Sequence, residues 1–566
     1  MSRTPTVAET SNIASHLSVM ARRQPYTPAV VVPAGRAASG RVRYTHLTYL
    51  QLDRDSDELA CGLRAIGIGR GSRAVVMVPP SLDLFALVFA LFKAGIVPVL
   101  IDPGMGLRNL GQCCREAAPA VFIGIRKALW AQWTWGWGRD TVRQLILVAP
   151  GRMGIGLKTL DDVRRAGRQA RCLGQHPSLD PESIPADEMA AILFTSGSTG
   201  PPKGAVYTHG ILHAQVELIR DLFGIEPGEI DLCTFPLFAL FAPALGMTAI
   251  VPDMDPTRPA RADPARIVEA IEDFGATNLF GSPALLRQLG RGDPASLTRL
   301  PSLKRVVSAG APVSAAILER LAGRLVAPAE VYPTYGATEA LPVASMGSSE
   351  VLGQTRAATD AGAGVCVGRP VDGIDVRIIR ICDDPIPTWS DDLVVPDGTI
   401  GEIVVSGPIV TREYFGRPEA TRLAKILDPE RSLLYHRMGD VGYRDDQGRL
   451  WFCGRKSHRV ILDDQTLFTI PCEAIFNTHP AVFRSALVGV NRGGERIPVI
   501  CIEPVRRLAR GERDRVRSEL LERAAGFTQT RRIRTILFHR AFPVDIRHNS
   551  KIFREQLAVW AARRCS

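Results

Sequence analysis

The ten residues Thr195-Ser196-Gly197-Ser198-Thr199-Gly200-Pro201-Pro202-Lys203-Gly204 combine hydroxyls, glycines and a single lysine. Small residues let backbone N–H groups close around a phosphate, hydroxyls add donors and Lys203 adds a point charge. The segment reads as a triphosphate cradle. It is not a Walker A loop, which ends in Gly-Lys-Ser/Thr, whereas Lys203 stands between Pro202 and Gly204. A flexible linker has no need of this residue order. The apolar run Met189-Ala190-Ala191-Ile192-Leu193-Phe194 predicts a buried strand feeding the loop.

Six further signatures follow at ordered distances. Ser308-Ala309-Gly310-Ala311-Pro312 comes after an apolar run, and Tyr335-Gly336-Ala337-Thr338-Glu339 lies soon after. Gly401-Glu402-Ile403-Val404-Val405-Ser406-Gly407, His436-Arg437-Met438-Gly439-Asp440 and Gly454-Arg455-Lys456 come next. Near the end, Pro543-Val544-Asp545-Ile546-Arg547-His548-Asn549-Ser550-Lys551 places one lysine in a polar loop. Each alone reads as a turn or a solvated tail, but six in order point to one composite site.

The elements that must carry these residues are legible as an α/β pattern. Ala74–Val78, the helical run Leu82–Phe92 and Ile96–Ile101 make a strand, helix and strand, which implies a parallel sheet. Short apolar runs at Val121–Gly124, Gln144–Val148, Thr277–Phe280 and Arg305–Ser308 repeat the pattern. From about Gly368 the texture changes to short strands divided by Gly, Pro and Asp. The last hundred residues form a further lobe with eleven arginines between Arg506 and Arg540. Interspersed acids make that segment a solvated helix face, and no aromatic-interleaved basic motif points to nucleic acid.

At 566 residues the chain exceeds one core, and 46% hydrophobic with 22% charged residues is a globular composition. The net charge of +11 suits anionic substrates such as nucleotides. Eleven scattered cysteines without a C-x-x-C argue for reduced thiols in the cytoplasm, not a disulfide framework or zinc site. No signal core opens the chain, and prolines, Asp83 and Lys93 interrupt the most apolar region, so no membrane span is expected. Peripheral membrane contact stays open.

On these motifs the chain resembles the adenylate-forming superfamily of acyl-CoA synthetases, luciferases and peptide-synthetase adenylation domains, from about residue 45 to 560. The resemblance implies residues 1–455 as a core of two helix-flanked sheets with a β-barrel-like subdomain at about 368–455. Residues 456–566 would be a small, mobile α+β lid. It implies ATP and Mg²⁺. Thr195, Ser196, Gly197, Ser198, Thr199, Gly200 and Lys203 would hold the β- and γ-phosphates, and Gly310, Ala311 and Pro312 the adenine face. Tyr335 would stack on adenine, Gly336 leave room for substrate, Thr338 touch the α-phosphate and Glu339 bind Mg²⁺. Asp440 would accept the ribose hydroxyls, Arg455 approach ribose or phosphate, and Lys551 bridge carboxylate and α-phosphate.

Two departures bear on the second half-reaction. Lys456-Ser457-His458 lacks the hinge Asp or Lys, and the following glycine, of acyl-CoA synthetases, which puts a thiol channel in doubt. Phe235-Pro236-Leu237-Phe238-Ala239-Leu240-Phe241 is apolar, with Ala239 where relatives carry a histidine or aromatic gate. Phe235, Phe238, Ala239 and Phe241 would wall a long acyl chain. The runs Thr234–Phe241, Pro252–Pro259 and Phe542–Asn549 look like the β-lactone synthetases of bacterial long-chain olefin biosynthesis. That resemblance implies a 2-alkyl-3-hydroxyalkanoic acid that is adenylated and then closed to a β-lactone by its own hydroxyl. The alternatives are a long-chain acyl-CoA ligase and a stand-alone carrier-loading enzyme. Neighbouring pathway enzymes would be partners, in one assembly by analogy. His209, His436 and His458 are candidate bases by type alone.

Overall fold

Arg73–Met77 and Val97–Ile101 flank the helix Leu82–Ala94, which is buried from Leu84 to Ala94. Ser81 caps this helix by accepting from the Leu84 N–H, and Gly95 ends it at φ +68°, where a side chain would be strained. In the computed structural model, which describes residues 12–149, 157–173, 184–195, 201–292, 298–545 and 551–565, the two strands pair in parallel as the pattern predicts. Lys93, which breaks the apolar run in the sequence, is 1% exposed and held between Asp53 and Asp57 at 2.7 Å each.

Seven strands form the first sheet, in the order Lys158–Thr159, Gln144–Leu147, Val121–Gly124, Arg73–Met77, Val97–Ile101, Met189–Thr195 and Lys203–Thr208. All pair in parallel except the last, which returns antiparallel on Met189–Thr195. A second sheet has fourteen strands. Its parallel part includes Ile230–Cys233, Asn278–Phe280, Arg305–Ser308 and Glu330–Ala337. It then runs on antiparallel through Ala340–Ser345, Val365–Pro370, Leu450–Arg455, Leu433–Arg444 and Gly401–Ser406 to Asp375–Ile379. The β-rich stretch after Gly368 thus extends this sheet, and Lys425–Asp428 pairs with Leu433–Arg444 off the main path.

The last lobe holds a three-stranded sheet, Val482–Arg492, Glu495–Pro504 and Thr535–Phe538. The helices Thr469–Asn477, Arg510–Ala525 and Arg554–Cys565 accompany it. Two apolar clusters draw all their buried members from Val460 onward. The arginine-dense segment is mostly the helix Arg510–Ala525, whose pairs include Arg506–Glu512 and Arg517–Asp514. All eleven cysteines are unpaired. Among the described residues no helix is long and apolar enough to cross a membrane.

Candidate active site

The strand Met189–Thr195 leaves the sheet where Lys203–Thr208 re-enters it, with Thr195 paired to Lys203. The cradle therefore joins two adjacent strand ends. Ser196, Gly197, Ser198, Thr199 and Gly200 lie outside the described residues, as does the side chain of Thr195. Lys203 opens the return strand and stands 5.0 Å from the ring centre of Tyr414. Tyr414 donates its hydroxyl to Glu339 Oε1 at 2.7 Å, which links the cradle lysine to the acid. Tyr207, two positions on from Ala205 in the same strand, donates to the Thr338 carbonyl. Thr338 and Glu339 form the two-residue turn between paired Ala337 and Ala340, so two buried tyrosines hold its tip. Burial, reinforced by Glu339, pushes both phenols well up, so they stay protonated donors.

Gly336 lies in the same hairpin. A Cβ there would meet Leu341 Cδ1 at 2.6 Å and the Ala340 carbonyl at 2.7 Å. Backbone packing by itself demands the glycine here. Gly310 takes φ +91° after the strand Arg305–Ser308, and Pro312 beyond it is exposed.

These segments surround one cavity of about 670 Å³, within the range of small-molecule sites. Lys203, Gly310, Gly336, Thr338, Glu339, Arg455 and Lys551 all line it. So do Phe235, Phe238 and Phe241, with Phe238 stacked on Phe280 at 4.2 Å. Ala239 does not join that wall: it is 2% exposed and packs into the core, so it is no gate here. Ala311 and Pro312 follow Gly310 without being part of the lining.

Gly336, Gly439 and Arg455 line the cavity, whereas their neighbours Tyr335 and Asp440 are not part of the lining. Tyr335 donates its hydroxyl to Asp440 Oδ2 at 2.7 Å. Arg455 Nη1 lies 3.1 Å from Asp440 Oδ1 but hydrogen-bonds the Met438 carbonyl at 3.0 Å. Asp440 Oδ1 is left buried with no hydrogen-bond partner among the described residues. Burial raises the Asp440 carboxyl above its ordinary range, while Arg455 and Tyr335 pull it back. A bare buried carboxylate oxygen beside a cation fits an incoming hydroxyl donor.

Lys551 is placed from both sides. Its carbonyl accepts from the Asp545 N–H at 2.9 Å, and Val544 and Ile552 form a bridge. Three residues on, Arg554 sends Nη2 to both oxygens of buried Glu473 at 2.7 Å. Glu473 also accepts from the Leu487 N–H at 2.8 Å. On the other flank, Lys456 is 3.0 Å from Glu402, which itself pairs with Arg437 at 2.7 Å; both members of that pair are almost wholly buried.

Of the three histidines, only His436 lines the cavity. Burial, with Lys425, Lys203 and Arg455 nearby, holds it well below its ordinary pKa and therefore neutral. His209 is buried, pushed down to about 4, and accepts from the Ile13 N–H at 3.4 Å. His458 is also lowered to about 4 and faces Glu555 at 3.3 Å. Sequence reasoning missed Tyr207, Tyr414, Glu402 and Lys425. Lys425 is buried next to Thr411, and burial takes its ammonium down to about 7. Glu402 stands in the Gly401–Gly407 signature, but that signature gives it no role.

A cation-rich cavity with a turn-borne acid and an apolar arm, on two helix-flanked sheets and a small third lobe, defines a nucleotide-dependent carboxylate-activating class. The chain belongs to the AMP-binding enzyme family, whose description matches residues 17–415. More particularly, it is 49% identical over 559 residues to the olefin beta-lactone synthetase of Xanthomonas campestris pv. campestris, covering 98% of each chain. It is 50% identical over 560 residues to the enzyme of the same name from Stenotrophomonas maltophilia, covering 97% of this chain and 98% of that one. The fold is shared with the o-succinylbenzoate coenzyme A synthetase MenE of Bacillus subtilis, in complex with ATP and magnesium ion. There the TM-score is 0.72 at 19% identity, over 97% of this chain and 100% of that one.

Proposed function

We propose that the chain adenylates a long-chain 2-alkyl-3-hydroxyalkanoic acid with ATP and then closes it to a β-lactone. The observation that carries this is one cavity joining a cationic end (Lys203, Arg455, Lys551, with Glu339) to an apolar arm (Phe235, Phe238, Phe241). Near 50% identity to two olefin beta-lactone synthetases over almost the whole chain supports the outcome.

ATP enters as a substrate. Lys203 and the cradle hold its β- and γ-phosphates, and Asp440 takes the ribose hydroxyls on its bare Oδ1. Glu339 would hold Mg²⁺, whose charge neutralises phosphate oxygens. A carboxylate oxygen of the acid attacks the α-phosphorus, and the bond to pyrophosphate breaks. Lys551 spans carboxylate and α-phosphate, where charge shifts as the reaction proceeds. Such catalysis is chiefly positioning and charge stabilisation. The 3-hydroxyl oxygen then bonds to C1, the C1–O bond to AMP breaks, and the hydroxyl proton passes to the phosphate of the departing AMP. The tethered nucleophile needs no second substrate channel. The apolar arm keeps water from the mixed anhydride.

Residues 456–566 act as the lid that brings Lys551 to the cavity. We place the protein in the cytoplasm, in contact with enzymes that make the hydroxy acid and consume the lactone. Incubation with ATP, Mg²⁺ and a racemic 2-alkyl-3-hydroxy acid, with and without CoA, tests the reading by product mass. Lactone and AMP in equal amounts without CoA are expected. A thioester formed only with CoA, or ATP left unconsumed, overturns it.

A further inference from the structure

Gln215 lies on the helix His209–Phe223, directly after the strand that carries Lys203. Its side chain lines the cavity although the residue is only 4% exposed. Nε2 donates to the Leu341 carbonyl at 2.8 Å. A carbonyl can only accept, so this bond settles which end of the amide is nitrogen. Oε1 is then the other end, buried, with no hydrogen-bond partner among the described residues. Nearby Tyr207 cannot serve it, because its one hydroxyl proton goes to the Thr338 carbonyl.

Buried polar atoms are almost always paired, and a bare acceptor destabilises the structure unless something fills the place. The position is informative. Leu341 packs against Gly336, in the hairpin whose tip is Thr338-Glu339. The free oxygen therefore stands near the hairpin whose tip carries Glu339, where the proposed reaction places Mg²⁺ and the phosphates to which the substrate carboxylate is joined. A donor presented there belongs to a group a few bonds from the carboxyl carbon.

We propose that Gln215 Oε1 accepts a hydrogen bond from the 3-hydroxyl of the substrate, selects hydroxy acids over plain acids, and holds that oxygen close to C1. The proposal rests on the β-lactone reading and names the group that makes the cavity specific for it. An amide oxygen is far too weak a base to keep the proton, so Gln215 is a positioning residue and not the base. A plain fatty acid fills the apolar arm equally well but brings no donor, and it leaves Oε1 bare. Sites built to hydrogen-bond a hydroxyl reject analogues that lack it for this reason.

The test uses ATP–pyrophosphate exchange, which reads adenylation without requiring lactone. Wild type, Gln215→Leu and Gln215→Met are compared on a 2-alkyl-3-hydroxy acid and the same acid without the hydroxyl. Wild type should favour the hydroxy acid about tenfold or more in kcat/KM. Either variant should bring the two acids within about twofold, with the larger loss falling on the hydroxy acid. Loss of the Nε2 bond to the Leu341 carbonyl slows both acids alike, so the ratio between them is the readout, which a general folding defect would leave unchanged. Equal use of both acids by wild type overturns the proposal, as does a preference that survives in both variants. Product mass is read in parallel. A Gln215-dependent preference without lactone sinks the ring-closing reading but leaves the hydroxyl contact standing.

Discussion

Lys551, more than three hundred residues after Lys203 in sequence, lines the same cavity as Lys203 and Arg455. In the proposed reaction, replacing it by alanine removes a positive charge from the place where charge shifts during phosphoryl attack. Lys551→Ala should lower pyrophosphate release by about a hundredfold or more while ATP still binds, measured by exchange and calorimetry. Unchanged turnover would remove the residue from the mechanism. Asp440→Asn keeps the shape of the side chain but loses the charge at its unpartnered oxygen. It should weaken ATP binding by about tenfold and spare the affinity for the acid. That Lys203, Glu339 and Lys551 share one cavity was foreshadowed by the ordered motifs of charged or small residues in which they stand. Tyr207 and Tyr414 were not. Their hydroxyls matter only because folding brings the strand Lys203–Thr208 against the Thr338-Glu339 turn and against Tyr414. Ala239 shows the opposite error: an apolar run gives no sign of which member faces the cavity and which the core.

Among the elements, short parallel strands such as Val121–Gly124 and Val97–Ile101 could be read directly, since burial on both faces leaves continuous apolar runs. The twelve-residue strand Leu433–Arg444 could not. It carries Gly439 at φ +67° and shifts register on both neighbours, which breaks any simple alternation. Lys425 pairs with His436 of this strand and is buried. Its pKa falls from 10.5 to about 7 on burial, with Glu339 opposing the fall. Between those values the unfolded chain binds more protons than the native one, so stability gains as pH rises from 7 towards 10.5. Below pH 7 the unfavourable buried charge is fully present. Lys425→Met should therefore be more stabilising, or less destabilising, at pH 7 than at pH 9.5, read as the urea midpoint difference from wild type. An equal difference at both pH values would show that the ammonium is not carried into the fold at a cost. The Glu473–Arg554 pair behaves differently, because both partners are buried. Glu473→Ala strands the guanidinium behind Lys551 and should destabilise the last lobe by about 3–5 kcal/mol. Slower adenylation should accompany it, checked by denaturant melts and exchange on the same protein.

At the scale of the whole molecule, both ends of the chain are drawn to the same cavity. Lys551 comes from the last described segment, and Ile13 from the first lines the wall with Phe89, Phe92 and Leu212. Nothing in the opening residues announced this, because the anchoring is tertiary. Asn12 donates to the Phe92 carbonyl at 2.8 Å and the Ile13 N–H to His209 at 3.4 Å, and the helix Ser15–Arg23 follows. Those partners lie 80 and 196 residues away in sequence, far beyond the reach of local periodicity. The arrangement separates two properties. Under the proposed function, charge chemistry belongs to groups around Lys203 and Glu339, and acyl capacity to apolar lining residues that include Ile13. Ile13 is 4% exposed, so a larger side chain there must take space from the cavity or push its neighbours. Ile13→Trp should leave exchange with short hydroxy acids near wild type and cut kcat/KM for the longest chains by about tenfold. Each methylene denied burial forfeits roughly 0.8 kcal/mol. A uniform drop across all chain lengths would mean that Ile13 supports the fold rather than the acyl arm, and a parallel loss of melting temperature would identify that outcome. Ile13→Ala should move the optimum the other way, towards longer chains, because the space it opens adjoins the same apolar wall.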